Sequence, residues 1–297
     1  MNLMRSWMFV PGNRQKMIDK ALGLDADAIM LDIEDGVAPS EKDTARRQIA
    51  ACLDQAHAAR GSARQGHFRS VRVNAIGHER MQADFELVIR PGLDGLVLPK
   101  IESPDQVRLV ADLLDRREPE LNVAKGSIRL LIAIESPAGL MNAHGIATAS
   151  PRVIGIMFGA EDFGRELGLP VNREAEAKEL IFARSAMVVA GAAARAQIID
   201  GVWPDIKDPD GLQRYAIQAR RLGFTGMSLI HPGQIDVINT VFSPGKDEVL
   251  YARQVVQAFE EAQARGDGSI SLGGQLIDLP IVERARHTLE LAKALGV

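Results

Sequence analysis

The chain has 297 residues, a formal net charge of −4 and one cysteine, Cys52. This acidic balance, with an aromatic content of 4%, provides neither the basic footprint nor the stacking surface of a nucleic-acid-binding protein. The single cysteine excludes an internal disulfide framework. The length is typical of two domains, although an α/β barrel uses it as one.

The amino-terminal residues carry no recognisable targeting signal. Arg5 and Pro11 interrupt the apolar run that a signal peptide needs. No apolar stretch approaches the ~20 residues of a membrane span. We therefore expect a cytoplasmic protein that has no membrane partner.

Eight short apolar runs recur along the chain, about 32 residues apart on average, close to the ~30 residues of one βα unit. Nearly continuous apolar runs are typical of strands that are covered on both faces in a parallel sheet. The predicted strands are residues 6–10, 28–33, 70–74, 95–99, 129–135, 153–158, 197–202 and 227–231.

Segments of helical character separate these strands, for example residues 104–117 and 175–196. Eight right-handed βα crossovers close a (β/α)₈ barrel, which is the predicted fold. An open doubly wound sheet is the alternative. It is less favoured because no G-x-G-x-x-G sequence follows the first strand.

The pattern changes after the eighth strand. Residues 247–265 and 280–295 are predicted helices, and the glycine-rich segment 266–274 is a predicted loop. We expect residues 1–245 to form the barrel catalytic domain and residues 246–297 to form a C-terminal helical extension, which a barrel does not require. The extension is typical of a lid or an oligomerisation arm, and a helix pair packed on the barrel is the alternative.

The carboxyl-terminal ends of the strands form the active site of such barrels, and nearly every predicted strand ends in an ionisable residue. These residues include Glu34, Asp35, Arg72, Lys100, Glu135, Asp162, Asp200 and His231. Seven such ends around one mouth are less easily explained by solvation than a single one would be. We therefore place the candidate site at this rim.

Glu135 and Asp162 are the candidate ligands of a metal ion. Two neighbouring carboxylates suit Mg²⁺, which fills its octahedron with water and substrate oxygens. The alternative is that both are rim acids paired with Lys100 or Arg72. The six histidines show no zinc-type spacing.

Basic residues at the rim have two interpretations each. The planar fork of Arg72 suits a substrate carboxylate, and an ion pair with Glu34 or Asp35 is the alternative. Lys16 and Lys20 share one helical face, which suits phosphate groups or simple solvation.

Seven motifs in order resemble the citrate lyase β-subunit-like branch of the HpcH/HpaI aldolase superfamily. This branch includes malyl-CoA, citramalyl-CoA and citryl-CoA lyases. The resemblance extends from residue 5 to about residue 290. The motifs are RSWMFVPGN (5–13), LDIEDGV (31–37), VRVN (71–74), LPKIES (98–103), IESPAGL (134–140), FGAEDF (158–163) and IHPGQ (230–234).

The resemblance implies a (β/α)₈ barrel, Mg²⁺, and reversible carbon–carbon cleavage of a 3-hydroxyacyl-CoA to acetyl-CoA and a 2-oxo acid. It implies that Glu135 and Asp162 bind the metal and that Arg72 binds the substrate carboxylate. It also implies that Glu135 contacts the substrate. The CoA side is implied to contact Phe9, Lys16, Lys20, Ile230 and His231.

The resemblance also assigns a role to the C-terminal extension. Residues 274–280, GQLIDLP, fit a G-x-x-x-D-x-P stretch whose aspartate, in several relatives, reaches the site of a neighbouring subunit. Asp278 is therefore the expected general acid/base, supplied in trans within a homotrimer or hexamer. Glu34 and Asp35 are expected to support catalysis by orienting metal-bound waters and Lys42.

Two alternative functions stay open. The chain could be the β subunit of a multi-component citrate lyase, or a class II aldolase that acts on free hydroxy-oxo-acids without CoA. The identity of the acyl-CoA and of the 2-oxo acid does not follow from the sequence, because small differences in a pocket decide it.

Overall fold

The computed structural model describes residues 4–59, 66–170 and 175–296. The chain divides into two compact units, residues 4–239 and residues 240–296. The predicted division at residue 245 and the catalytic and lid roles of its two parts stay predictions.

The first unit is a closed barrel of eight parallel strands in chain order, β1 to β8, as predicted. The sheet closes where β1 pairs with β8 through Trp7 and Ser228. The strands are β1 Ser6–Pro11, β2 Ala28–Asp32, β3 Phe68–Arg72, β4 Gly95–Leu98, β5 Arg129–Ile134, β6 Val153–Phe158, β7 Gln197–Asp200 and β8 Gly226–Leu229.

Helices follow the strands and complete the (β/α)₈ architecture. The α-helices are α1 Gln15–Ala21, α2 Lys42–Ala59, α3 Met81–Val88, α4 Pro104–Glu120, α5 Pro137–Met141, α6 Ala143–Ala147, α7 Ala160–Glu166, α8 Ile181–Ala193, α9 Pro209–Leu222 and α10 Ile235–Val241. Short 3₁₀ helices span Pro39–Glu41, Ala175–Leu180 and Pro232–Gln234. The predicted helix over residues 175–196 is therefore divided into a 3₁₀ turn and α8.

An apolar cluster fills the barrel and fixes which side chains reach its carboxyl-terminal mouth. Its buried members include Trp7, Ala28, Met30, Phe68, Val97, Leu131, Met157 and Ile199. Successive side chains of a strand alternate between the two faces of the sheet. Residues two or four positions after these members therefore also face the barrel interior, and they include Phe9, Asp32, Arg72 and Glu135.

The second unit contains two long helices, α11 Lys246–Ala264 and α12 Leu279–Leu295, and a two-stranded antiparallel hairpin, β9 Ile270–Leu272 and β10 Gln275–Ile277. Its core contains Val255, Phe259, Ile277 and Val282. No helix in the described part of the chain is long and apolar enough to cross a membrane.

The hairpin corrects the prediction of a loop over residues 266–274. Gly273 and Gly274 have φ angles of 58° and 81°, which form the tight turn between the two strands. A Gly-Gly pair flanked by short alternating segments is a hairpin signal that the sequence contains.

Candidate active site

The turn after β2 is organised by the buried carboxylate of Asp32. Its Oδ1 accepts a hydrogen bond from the backbone N–H of Glu34 (3.0 Å), and its Oδ2 accepts one from Gly36 (2.9 Å). The same carboxylate accepts Nε and Nη2 of Arg72 at 2.7 and 2.9 Å. Asp32 therefore joins the end of β2 to the end of β3 by a bidentate pair, the strongest geometry available to arginine and carboxylate.

Glu34 bridges the two cations of the mouth. Its Oε2 lies 3.1 Å from Nη1 of Arg72, and its Oε1 accepts Nζ of Lys100 at 2.6 Å. Lys100 also contacts Asp35 at 2.9 Å. Burial alone would lower the pKa of Lys100, but the hydrogen bonds to Glu34 and Asp35 raise it above its usual value. The ion-pair alternative for Arg72 is thus realised with Glu34, and with Asp32 in place of Asp35. The binding of a substrate carboxylate by Arg72 stays a prediction.

Glu135 follows β5 and is 6% exposed. Its Oε2 accepts a hydrogen bond from the backbone N–H of Lys100 at 3.0 Å. The backbone of Lys100 is in the left-handed region, with a φ of 54°. Gly159, after β6, leaves the space that the carboxylate occupies, because a Cβ there would lie 2.3 Å from Cγ of Glu135. Two neighbouring strand ends therefore shape the position of this one carboxylate.

The electrostatic surroundings of Glu135 disfavour its charge. Burial raises its pKa to about 7, with further upward contributions from Glu34 and Asp162 that Arg72 only partly offsets. The ammonium of Lys100 is directed to Glu34 and Asp35 instead. A buried carboxylate with this pKa near two other acids is a group that a cation would stabilise.

Asp162 lies in the first turn of α7 and contacts Arg165 on the same helix at 2.8 Å. Its side chain is 28% exposed. Within the described residues no group of three or more histidine, cysteine or acidic side chains is arranged for a metal. Two carboxylates suffice for Mg²⁺, which keeps several water and substrate ligands, so the donor set at Glu135 and Asp162 fits that ion.

The residues expected on the CoA side lie on adjacent parts of the barrel. The ring of Phe9 lies 4.8 Å from the guanidinium carbon of Arg72. Lys16 and Lys20 are exposed on α1, directly after β1. Ile230 and His231 are exposed after β8, the strand that pairs with β1. Nδ1 of His231 accepts the N–H of Gly233 at 3.1 Å, so this ring also caps the following 3₁₀ turn.

Asp278 belongs to the second unit, where it is the N-cap of α12. Its side chain is partly buried, and its Oδ1 accepts the N–H of Ile281 at 3.4 Å. This long contact is a weak hydrogen bond. The expected catalytic role of Asp278 stays a prediction.

One expectation about the rim is wrong. The Asp200 side chain has no solvent exposure and is not at the mouth, because it follows inward-facing Ile199 and pairs with buried Arg184 at 2.6 Å. Glu34 does contact Lys42, through its backbone oxygen, and Ile33 contributes a second backbone oxygen. The orientation of metal-bound waters by Glu34 and Asp35 stays a prediction.

Sequence reasoning missed Asp32 and Gly159 as supporting residues. Both had a signal. Asp32 lies two positions after inward-facing Met30, and Gly159 lies two positions before the acidic pair at residues 161 and 162. Strand alternation would have placed Asp32 and Arg72 on the same face of the sheet. The observed β2–β3 register then pairs them directly.

The sequence profile of the HpcH/HpaI aldolase/citrate lyase family matches residues 5–232. The citrate lyase subunit beta of Escherichia coli K12 is 40% identical over 293 residues, which cover 99% of this chain and 94% of the relative. The mitochondrial citramalyl-CoA lyase of Rattus norvegicus is 30% identical over 301 residues, covering 98% of this chain and 86% of the relative.

Among solved structures, the chain resembles Mycobacterium tuberculosis CitE in complex with magnesium, acetoacetate and coenzyme A. The TM-score is 0.78 at 29% identity, over 98% of each chain. The family profile covers the whole ring of strands from β1 to β8, and the relatives cover nearly the full length. The chain therefore belongs to the HpcH/HpaI aldolase/citrate lyase family and is a lyase.

Proposed function

We propose that the chain is a Mg²⁺-dependent carbon–carbon lyase that cleaves, or in reverse forms, a 3-hydroxyacyl-CoA. Citramalyl-CoA, malyl-CoA and citryl-CoA are the candidate substrates, and the products are acetyl-CoA with pyruvate, glyoxylate or oxaloacetate. The observation that carries the proposal is the buried carboxylate of Glu135, whose pKa is raised to about 7 beside Asp162 and Arg72.

Glu135 and Asp162 would hold the metal ion, as the magnesium in the M. tuberculosis structure supports for the family. When bound, Mg²⁺ acts as a Lewis acid toward the carboxylate and carbonyl oxygens of the 2-oxo acid. The residues themselves contribute fixed geometry. The Lys100 N–H and the space left by Gly159 orient Glu135 before any substrate arrives.

Arg72 binds and polarises the 2-oxo acid in this proposal. A guanidinium has five N–H donors, and Asp32 accepts two of those of Arg72. The fork is thus held rigidly while donors on its Nη atoms remain for a carboxylate or a developing oxyanion. Phe9 beside the guanidinium limits its movement and shields it from water. Preorganised donors of this kind stabilise charge that develops in the transition state.

The thioester side would extend along β8 and β1. Lys16 and Lys20 offer two exposed ammonium groups to the CoA phosphates, and Ile230 and His231 would contact the neighbouring part of the cofactor. The adjacency of β1 and β8 supports this grouping. The presence of CoA in the M. tuberculosis complex supports CoA rather than a free hydroxy-oxo-acid as the substrate class.

Asp278 would protonate the methyl carbon of the acetyl-CoA enolate in cleavage and remove a proton from that carbon in condensation. The Asp278 that serves each site would belong to a neighbouring subunit of a homotrimer or hexamer. Complementation tests this assignment: Asp278→Asn and Glu135→Gln variants are each expected to be inactive alone. When the two variants are mixed in equal amounts by co-refolding or co-expression, roughly a quarter of the sites should combine an intact Glu135 with an intact Asp278 of the neighbouring subunit. The mixture should then recover roughly a quarter of the wild-type activity if the acid acts in trans across a heterologous interface. A mixture as inactive as its components would contradict supply in trans.

The decisive experiment is a substrate panel. Purified chain is incubated with malyl-, citramalyl- and citryl-CoA in Mg²⁺ or in EDTA, and acetyl-CoA, free CoA and the 2-oxo acid are quantified. We expect equal amounts of acetyl-CoA and 2-oxo acid from at least one substrate, and none in EDTA. Release of free CoA alone would indicate thioester hydrolysis, and no cleavage of any substrate would refute the proposal.

A second candidate is the β subunit of a multi-component citrate lyase, which the 40% identity to the E. coli subunit favours. In that case the isolated chain should process citryl thioesters only together with an acyl-carrier subunit, which should copurify with it. Activity of the isolated chain on free CoA thioesters would argue against this candidate.

A further inference from the structure

Lys42, the first residue of α2, buries an ammonium group behind the mouth of the barrel. The residue is 7% exposed. Its Nζ donates three hydrogen bonds: to the backbone oxygen of Ile33 (2.7 Å), to that of Glu34 (2.9 Å) and to Oδ1 of Asn74 (2.8 Å). An ammonium has three N–H donors, so these acceptors satisfy all of them.

The acceptors of Lys42 are all neutral, which is unusual for a buried cation. Burial lowers the pKa of Lys42, and the charges of Asp32, Glu34 and Asp84 act against this from a distance. Burying a cation without an acid in direct contact costs desolvation free energy, so this arrangement contributes little to the stability of the fold. It does, however, fix two consecutive carbonyl groups at the point where the chain leaves β2.

A second layer holds the Asn74 acceptor in place. Oδ2 of Asp84, a fully buried carboxylate on α3, accepts the backbone N–H and the side-chain amide of Asn74 at 2.7 and 2.6 Å. Oδ1 of Asp84 accepts Nε of Arg46 at 2.7 Å. Because Arg46 lies one turn after Lys42 on α2, this chain of contacts returns to the helix that carries the lysine.

The backbone of Glu34 is therefore held on both sides. Its N–H donates to Asp32, and its C=O accepts from Lys42. With the backbone held in this way, the Cα–Cβ bond of Glu34 has a fixed direction. The side chain extends along it, and its carboxylate contacts Arg72 and Lys100. Glu34 in turn contributes to the raised pKa of Glu135.

We propose that Lys42 is a positioning residue: its three hydrogen bonds hold Ile33 and Glu34 so that the Glu34 carboxylate stays between Arg72 and Lys100. This inference rests on the proposed lyase function for its kinetic consequence, but its structural consequence is independent of it. Lys42 does not touch substrate, and it acts through Glu34.

A double-mutant cycle tests the proposal, using the CoA thioester that the wild-type chain cleaves fastest. Lys42→Met keeps the length and apolar stem of the side chain and removes its donors. We expect kcat to fall roughly 10- to 100-fold, as for other outer partners of a site, with a small change in KM. In a Glu34→Gln background, Lys42→Met should cost at most about a further twofold.

Several outcomes would overturn the proposal. They are an unchanged kcat for Lys42→Met, a loss that is fully additive with that of Glu34→Gln, and a fall in kcat matched by the surface control Lys125→Met. Lys125 lies on the loop before β5 and contacts Asp115. If Lys42→Met does not fold, Lys42→Arg serves instead, because a planar guanidinium keeps the charge but cannot reproduce three converging bonds.

A crystal structure of the variant supplies the readout that does not depend on activity. We expect the 2.6 Å contact between Glu34 and Lys100 to be lost in Lys42→Met, and retention of that contact would also overturn the proposal. Were the wild-type chain inactive on every thioester, the proposed function would fail while this structural test stayed decisive for Lys42.

Discussion

The two ends of the barrel each carry a cluster of buried charges, but the charges balance differently. At the amino-terminal end, Arg152 precedes β6 and donates to both oxygens of Glu118 at 2.8 and 2.6 Å. It also contacts Asp115, and Glu118 accepts two backbone N–H groups, of Gly126 and Ile128. Burial raises the pKa of Glu118, but these partners outweigh it and hold that pKa below its usual value.

At the carboxyl-terminal end the partners do not suffice for every acid. Asp32, Glu34, Asp35 and Glu135 are four carboxylates, and Arg72, Lys100 and Lys42 are the cations that act on them. Lys100 and Arg72 are directed to the first three acids. Glu135 is left with a backbone N–H and a pKa raised to about 7.

We interpret the first cluster as one that stabilises the fold, and we propose that the second binds a cation. A carboxylate whose hydrogen bonds are all satisfied gains little from a ligand, whereas an under-compensated one gains a great deal from a cation. The location agrees, because the carboxyl-terminal end of such barrels bears the chemistry and the opposite end bears the stability.

The largest effect is expected when the same substitution is made at both ends. Glu135→Gln should lower lyase activity by more than the roughly 100-fold that the loss of an outer partner costs. In EDTA at pH 8 the free energy of unfolding of this variant should be about 3 kcal/mol larger than that of the wild type, so the variant should be more stable. That figure is the free-energy equivalent of a pKa of about 7 rather than 4.5.

The pH dependence gives the sign of this effect. Since the pKa of Glu135 is raised in the folded state, its contribution to stability is fully present below about pH 4.5 and is lost as the pH rises through about 7. The advantage of Glu135→Gln should therefore shrink toward zero near pH 4.5. Urea unfolding followed by circular dichroism at both pH values measures it.

Glu118→Gln is the matched control, and it should reverse both results. It leaves buried Arg152 without its main partner, so the free energy of unfolding should fall by about 3–5 kcal/mol while the folded enzyme keeps its activity. Equal loss of stability in the two variants would mean that the two clusters do not differ in the way described.

The fold and the positions of charged residues at the strand ends could be predicted from the sequence because their signals are local. Continuous apolar runs of regular spacing specify the strands, and a residue at a strand end is placed at the mouth by topology alone. Arg72 and Glu135 are examples. The direction of a side chain is less local, and for this reason Asp200 was assigned to the rim although it faces the helix layer.

Other supporting residues, unlike Asp32 and Gly159, could not be predicted because their roles depend on contacts far apart in sequence. Lys42 and Asn74 are 32 positions apart, and nothing in either segment indicates that they meet. The left-handed backbone of Lys100 is likewise a consequence of tertiary packing, since lysine has no intrinsic preference for it. These positions require three-dimensional contacts.

A smaller effect tests whether the binding end depends on space as well as on charge. Gly159→Ala places a Cβ 2.3 Å from Cγ and 2.7 Å from Oε1 of Glu135, so the carboxylate has to move. We expect the affinity for Mg²⁺, measured by calorimetry, to fall about 10-fold, the lower range for a disturbed supporting shell. Activity should recover in part at high Mg²⁺ because the acid itself is intact.

Gly164→Ala on α7 provides the comparison for that substitution. The nearest atom to its Cβ, Cδ1 of Leu169, lies at 3.9 Å, so the added methyl group has room. Alanine inside a helix is favoured over glycine by roughly 0.5–1 kcal/mol, so this variant should be slightly more stable with unchanged Mg²⁺ affinity. If Gly159→Ala also bound Mg²⁺ as the wild type does, the tight fit around Glu135 would have no part in metal binding. The difference between the two ends would then rest on charge alone.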